Sequence, residues 1–467
     1  MPVLRTWQLA AGAAVVGLAL AAGAVAAAGP WDSGQRKAEK QWAAAQSTSG
    51  GADHRQPVDQ RPAPAPSAPG VLTAIGTVRA TTGPADGKPV VGLGKELGTL
   101  LRDPGLGPLR TASVVDVSTG RQVFGQDAAK PMAPASTVKV ATAVAALAAL
   151  GPDHRIPTTA VLSADGRELT LVGGGDATLS QSALATLADR AATVLRQRSA
   201  TAVRLTYDKS LYRGPVRHRI GKNGNLAPVT ALMVDQGRKD PTATGDSERV
   251  ADPAGAAARA FEQLLEARGI RVITKPAATV VPRTAEPVAR VMSAPLSALV
   301  ERMLTDSDND LAEALARQTA LASRHEASFA GGGRAVHQRL AGLGLPLTGA
   351  RLTDGSGLDR SARVSARLLT ALLSRAADPS KPELRSVLTG LPIAGFSGTL
   401  ESRYADASPG TGLVRAKTGT LTGVSSLAGT VVSADGRLLA FAFLAGKTPS
   451  RDEAQPALDR LATALIS

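Results

Sequence analysis

From Arg110 onward, short apolar runs alternate with turns, and each run predicts an element. Thr111 to Val117 is apolar and β-branched, Thr119-Gly120 turns, and Arg121 to Phe124 returns, which is the pattern of a hairpin. Pro131 and Pro134 interrupt the chain. An Ala-, Val- and Leu-rich stretch from about Thr137 to Leu150 then predicts a helix that stops before Gly151-Pro152 and carries Ser136 at its first turn. Between about Arg155 and Pro287 the character changes. Strand-like runs at Leu169 to Val172, Ala202 to Tyr207 and Val272 to Thr274 are interleaved with helical stretches at Ala183 to Arg196 and Ala256 to Arg268, while Gln236 to Pro253 is polar and reads as a loop. Leu296 to Leu304 and Asp310 to Ser323 predict two helices joined by a Ser307-Asp308-Asn309 turn. Val424 to Val432 and Leu438 to Leu444 flank the hairpin turn Ala434-Asp435-Gly436. A last helix, about Ala457 to Ile466, covers the sheet, and no internal repeat is visible.

These elements predict a mixed α/β (α+β) fold in five stretches. Residues 1–30 are a signal peptide or membrane anchor, 31–89 a disordered Pro-rich linker, 90–154 the first part of a catalytic domain, 155–290 an inserted α+β domain, and 291–467 the second catalytic part. Residues 8 to 30 carry no charge, and Trp7 and Trp31 bracket them. That run exceeds a usual signal core and favours an uncleaved anchor. The rival reading is cleavage at Ala24-Val25-Ala26 or Ala26-Ala27-Ala28. On either reading the rest of the chain is expected to be exported. Pro-Ala-Pro-Ala-Pro within the linker reads as a semi-rigid spacer.

Composition narrows the chemistry. With 43% hydrophobic and 20% charged residues the chain can build a core. It has no Cys, which excludes disulfides, thiolate catalysis and Cys-based zinc sites. The net charge of +14 suits an anionic partner such as nucleic acid, anionic lipid or a cell-wall polymer, or is simply an Arg-rich solvated surface. With aromatics at 3% and no basic run interleaved with them, nucleic-acid binding is not expected. The five His (His54, His154, His218, His325, His337) fall in no H-E-x-x-H and beside no G-x-S-x-G elbow. Metal and Ser-His-Asp chemistry are therefore disfavoured, and no cofactor is expected. Gly92, Gly94 and Gly98 miss the dinucleotide spacing by one residue.

Three short motifs occur once each and in one order: Ser136-Thr137-Val138-Lys139, Ser307-Asp308-Asn309 and Lys417-Thr418-Gly419. Alone, the first is usually a helix start with a solvated lysine, the second a turn or N-cap, the third a strand end. Together they hold what acyl transfer through a serine ester needs. Ser136 and Lys139 are three apart and share a helix face. A lysine with an ordinary pKa near 10.4 is a poor base at neutral pH; burial, Lys417 as a neighbouring cation and the helix N-terminus lower it. Ser307 can relay the proton to the departing amine, and Asn309 can hold a substrate amide and orient Lys139. Lys417, Thr418 and Thr420 on an edge strand can bind a substrate carboxylate, with Gly419 between them. The backbone amides of Ser136 and Thr420 are the natural oxyanion donors.

On these motifs the chain resembles the penicillin-binding protein and serine β-lactamase superfamily, with Pro134-Ala135-Ser136-Thr137-Val138-Lys139 as the nucleophile helix. Ser307 follows Ser136 by 171 residues, a gap similar to that of the class C low-molecular-mass penicillin-binding proteins, the D-alanyl-D-alanine carboxypeptidase/endopeptidase group. Gly173 to Leu179, Ala227 to Leu232, Asp354-Gly355-Ser356-Gly357-Leu358 and Gly398-Thr399-Leu400 also look like that group. The resemblance covers roughly Val90 to Ser467. It implies a transpeptidase-like domain with a smaller α+β domain inserted, stem peptides of peptidoglycan as substrate, and β-lactams as inhibitors. It further implies that Arg360, Leu421 and Thr422 help bind the stem-peptide side chain. Membrane contact is expected through the N-terminal segment only. The stretch Arg217 to Asn225 departs from the group: it is basic and lacks the Trp and acidic residue that often grip a diamino acid there.

Two other functions compete with D-Ala-D-Ala hydrolysis. A class A-like β-lactamase needs a Glu between the second and third motifs, and none occurs between Glu326 and Glu383. A catalytically weak penicillin-binding sensor would show lost motif residues, and all are present.

Overall fold

The computed structural model describes residues 92–243, 245–282, 284–404 and 408–466. The expected leader (1–30) and the whole of the expected linker (31–89) lie outside them. Among the described residues no helix is long and apolar enough to cross a membrane.

Two sheets organise the chain. The first is antiparallel, with order β2-β1-β11-β10-β9. Its strands are β1 (Leu109–Asp116), β2 (Gln122–Gln126), β9 (Arg415–Leu421), β10 (Val424–Val432) and β11 (Leu438–Gly446). The first and last strands pair in full register, Leu109 opposite Gly446 and Asp116 opposite Leu439. The second sheet runs β6-β5-β4-β3-β8, with β7 also paired to β5. It is built from β3 (Pro157–Leu162), β4 (Glu168–Gly173), β5 (Ala202–Asp208), β6 (Arg271–Val272), β7 (Ala277–Thr279) and β8 (Glu286–Met292). Strands β4 and β5 are parallel, so the chain must cross over between them, and the helix Gln181–Gln197 makes that crossing.

The helices are α1 (Leu93–Leu100), α2 (Lys139–Leu150), α3 (Gln181–Gln197), α4 (Pro253–Glu266), α5 (Leu296–Thr305), α6 (Asn309–Ala322), α7 (Phe329–Gly342), α8 (Ala366–Ala377), the single turn α9 (Ser386–Thr389) and α10 (Arg451–Thr463). Helix α2 is apolar on every side, and Lys139 through Leu147 are all buried. Such a helix has no solvated face and belongs in a core. It packs in one cluster with Leu311, Leu315, Val336, Leu369 and Leu372 of α6, α7 and α8 and with Ala440 and Ala442 of β11. Lys139, as its first residue, is carried into the interior with it.

Two boundaries differ from expectation, and helix α7 stands where none was expected. Ser136 lies in a 3-10 turn, Ala135–Val138, that precedes α2 rather than in its first turn. The turn is forced by Ala135, which takes a left-handed φ of 48°. The last helix starts at Arg451 rather than near Ala457, because Ser450 caps it by accepting from the Glu453 amide. The Gly331-Gly332-Gly333 run inside α7 is required by close packing: a Cβ at Gly333 would stand 2.1 Å from the Leu352 carbonyl.

Candidate active site

The three motifs converge on one cleft of about 820 Å³, with Ser136, Ser307, Asn309, Thr418 and Thr420 on its walls. Each arrives by a different route. Ser136 comes from the turn ahead of α2. Ser307, at a left-handed φ of 57°, and Asn309, the first residue of α6, come from the α5–α6 junction. Asp308 caps α6, its carboxylate accepting from the Leu311 amide at 3.0 Å. Thr418 and Thr420 come from β9, the edge strand. Beyond Ala416, whose amide donates to the Pro392 carbonyl, the outer edge of β9 faces the cleft.

The Lys139 amine lies fully buried among three acceptors. Its Nζ donates to Ser136 Oγ at 2.9 Å, to Asn309 Oδ1 at 2.7 Å and to the Ser356 carbonyl at 2.8 Å. Asn309 is itself fixed, its Nδ2 donating to the Asn225 carbonyl at 3.0 Å. Burial lowers the Lys139 pKa to about 8, against the opposing pull of the Asp354, Asp308 and Glu313 carboxylates. Lys417 is also fully buried, its Nζ donating to the Thr418 carbonyl at 2.9 Å. Its pKa is held well below the usual amine range by burial first, then by Lys139 and Arg403. The sequence suggested Lys417 as the cation that lowers Lys139. In the structure desolvation is the largest cause for both amines, and the lysine–lysine effect falls on Lys417, whose pKa Lys139 lowers further.

Strand β9 touches the nucleophile turn directly. A Cβ on Gly419 would stand 2.2 Å from Ser426 Oγ, 2.7 Å from the Pro134 carbonyl and 3.1 Å from the Ser136 amide nitrogen. Ser426 Oγ donates to that Pro134 carbonyl at 2.7 Å, tying β10 to the same turn. We expect Gly419→Ala to push the Ser136 turn away from β9 and slow acylation by about 30-fold, since misplacement of reacting groups by 1 Å costs on the order of 10²-fold. Rate constants for adduct formation with benzylpenicillin check this.

The structure does not bring every suggested residue to the cleft. Arg360, Leu421 and Thr422 are neighbours, with Arg360 Nη1 donating to the Thr422 carbonyl at 2.9 Å, but they are not among the residues that line it. Several that do were not singled out. Gln236, Arg238 and Arg249 line the far wall from the stretch that reads as a plain loop. Asp235 and Gln236 both adopt left-handed φ values, 46° and 55°, ahead of Gly237. That turn sends Gln236 Nε2 to Asp308 Oδ2 and the Gln236 carbonyl to Arg249 Nη1. Arg249 in turn pairs with Asp310 at 3.1 Å, both side chains buried. Thus a loop of the second sheet braces the second motif. The only local hint was unusual polarity, because the partners are tertiary.

Residues 93–248 and 242–465 match the D-Ala-D-Ala carboxypeptidase 3 (S13) family. The chain belongs to that family. It makes the protein a serine-type carboxypeptidase. A carboxypeptidase DacB of Mycolicibacterium smegmatis is 35% identical over 442 residues, covering 91% of this chain and 93% of the relative. A carboxypeptidase of Mycobacterium tuberculosis is 36% identical over 433 residues, covering 88% and 91%. The carboxypeptidase also shares its fold with penicillin binding protein 4 of Haemophilus influenzae, at a TM-score of 0.68 and 23% identity over 79% of this chain and 98% of that one.

Proposed function

We propose that this carboxypeptidase removes the terminal D-Ala of peptidoglycan stem peptides through an ester on Ser136, and that β-lactams trap it at that ester. One observation carries the reading. A neutral amine has two N–H bonds and one lone pair. Asn309 Oδ1 and the Ser356 carbonyl take two positions around Lys139 Nζ, and the third faces Ser136 Oγ at 2.9 Å. The lone pair is thereby aimed at the proton it must remove.

In the first step Ser136 Oγ attacks the penultimate D-Ala carbonyl while Lys139 accepts the hydroxyl proton. The tetrahedral oxyanion sits against the Ser136 and Thr420 amides. Collapse breaks the C–N bond, and the leaving amine takes the proton from Lys139 by way of Ser307. Water then hydrolyses the ester. Thr418, Thr420 and the buried Lys417 receive the substrate's terminal carboxylate. Arg360, Leu421 and Thr422 contact a longer side chain at the rim. A β-lactam follows the same first step, but its leaving amine stays tethered, so the adduct carries the whole drug. The described wall of the cleft holds Asp but no Glu, which supports slow deacylation rather than β-lactamase turnover. We further propose export, the apolar segment 8–30 giving a signal or anchor and the catalytic part acting on the outer side of the cytoplasmic membrane or in the wall.

Intact mass after incubation with benzylpenicillin tests this. The wild type is expected to gain one drug mass and Ser136→Ala none. Hydrolysed drug over unmodified protein would reverse the choice in favour of a β-lactamase, and an adduct without D-Ala release from peptides would favour a sensor.

A further inference from the structure

Behind Lys139 lies a buried cluster that the reaction as described does not use. Glu313 stands one turn after Asn309 on α6 and is fully buried. Its Oε1 accepts from the backbone amides of Gly355 at 3.1 Å and Ser356 at 3.0 Å. Its other oxygen accepts from Arg317 Nη1 at 3.0 Å. Arg317 lies one turn further along α6, its guanidinium 4.1 Å from the Phe329 ring centre. The loop rides directly on the helix, since a Cβ at Gly355 would stand 2.3 Å from the Ala312 carbonyl. The far side of the loop is held by Asp354, which accepts from the amides of Gly357 at 3.0 Å and Asp359 at 2.8 Å. His218 completes it. The Ile220 amide donates to His218 Nδ1, so Nε2–H donates to Asp354 at 3.1 Å.

His218, Glu313 and Asp354 bring their ligand atoms within 4.8 Å of one another. They do not form a cation site. Every carboxylate oxygen already accepts an N–H, and the Arg317 guanidinium occupies the position of a counter-ion. The cluster has a different product: the direction of the Ser356 carbonyl, one of the two acceptors that aim Lys139. Helix α6 thus sets both. Asn309 acts directly, and Glu313 acts through two peptide groups.

We propose that Glu313 is a positioning residue of the acyl-transfer reaction, orienting Lys139 through the Ser356 carbonyl and holding its charge state by its own negative charge. The inference rests on the reading of Ser136 and Lys139 given above. The charged groups around the amine are Glu313, Asp354 and Asp308 on one side and Lys417 on the other. Removing the Glu313 charge removes one of the three carboxylates that hold the Lys139 pKa up to about 8. Glu313 is the smallest of the three effects, and the Arg317 guanidinium that it holds offsets part of its charge.

The experiment is the rate of acylation by a fluorescent penicillin, per mole of labelled protein, from about pH 6 to about pH 10. Wild type, Ser136→Ala and Glu313→Gln are compared. Glu313→Gln strands Arg317 in the core, so Glu313→Gln/Arg317→Met is measured beside it. The rising limb of the wild type is expected to have its midpoint near the Lys139 pKa of about 8. In Glu313→Gln the midpoint moves down, in the double variant, which loses both charges of the Glu313–Arg317 pair, it moves down less, and in both the plateau falls roughly tenfold. A purely structural role changes the amount of labelled protein and leaves the midpoint in place, which would overturn the proposal. Failure of both variants to fold would also overturn it. Labelling of Ser136→Ala would instead remove the underlying site reading, whatever the Glu313 variants do.

Discussion

Replacing Lys139 with Met slows acylation of Ser136 by about 10³-fold, within the range that a positioned general base contributes. The amine is fully buried and has no second lysine that can take its place. Lys417, buried as well, spends its Nζ on the Thr418 carbonyl. With a pKa of about 8, Lys139 is neutral in about one molecule in ten at pH 7. The wild-type rate therefore climbs through pH 7 and levels off above 8, whereas the Met variant keeps only the slow, flat rate of an unassisted hydroxyl. Met fills the space of the lysine stem. It strands the Asn309 Oδ1 and Ser356 acceptors, at about 1–3 kcal/mol each, but removes a desolvated amine. The variant is expected to fold. Thermal melting and mass-resolved acylation over hours check both points, and a rate within a few-fold of wild type would eliminate Lys139 as the base.

Arg249→Ala is the second large effect, and it falls on stability. Arg249 holds Asp310 at 3.1 Å and donates to the carbonyls of Gly224 and Gln236. Removing one partner of a buried pair costs about 3–5 kcal/mol, because the other charge is left in the core. The cost depends on pH. Burial already raises the Asp310 pKa to about 7, above the 3.8 of an ordinary aspartate, despite Arg249. The folded chain binds this proton more tightly than the unfolded chain. Protonation therefore adds stability as pH falls from 7 toward 4 and adds none well above 7. Without Arg249 the shift grows. Urea unfolding at about pH 8.5 is expected to show the full loss, and at about pH 5.5 a much smaller one. Equal losses at both would mean that Asp310 is not the group left stranded.

Much of the architecture was legible where local pattern and tertiary fate agree. Helices α2, α5 and α6 and the β10–β11 hairpin follow the sequence periodicity because each has strong formers and clean breakers. The helices α7 and α8 were not foreseen. The three glycines of α7 serve close contacts with Glu326, Ala316 and Leu352, the last two tertiary. The motif residues were legible because Ser, Lys and Asn carry their chemistry at short spacings. Their supports were not. Nothing local marks Glu313 as the partner of amides 42 and 43 residues away, or Gln236 as a partner of Asp308. The direction of the Lys139 shift was foreseen, with burial among its causes. Burial follows from α2 being enclosed on all sides, a property of the assembled core.

The pairing of β1 with β11 has a consequence for when the enzyme becomes active. A chain made from its N-terminus carries Ser136 and Lys139 early, but the sheet that supports their turn lacks β9, β10 and β11 until nearly the whole polypeptide exists. Gly419 and Ser426, which press on and tie the Ser136 turn, belong to those late strands. A growing chain therefore has Ser136 without the scaffold of its turn. On the proposed reading the chain stays silent through synthesis until β9, β10 and β11 are all in place.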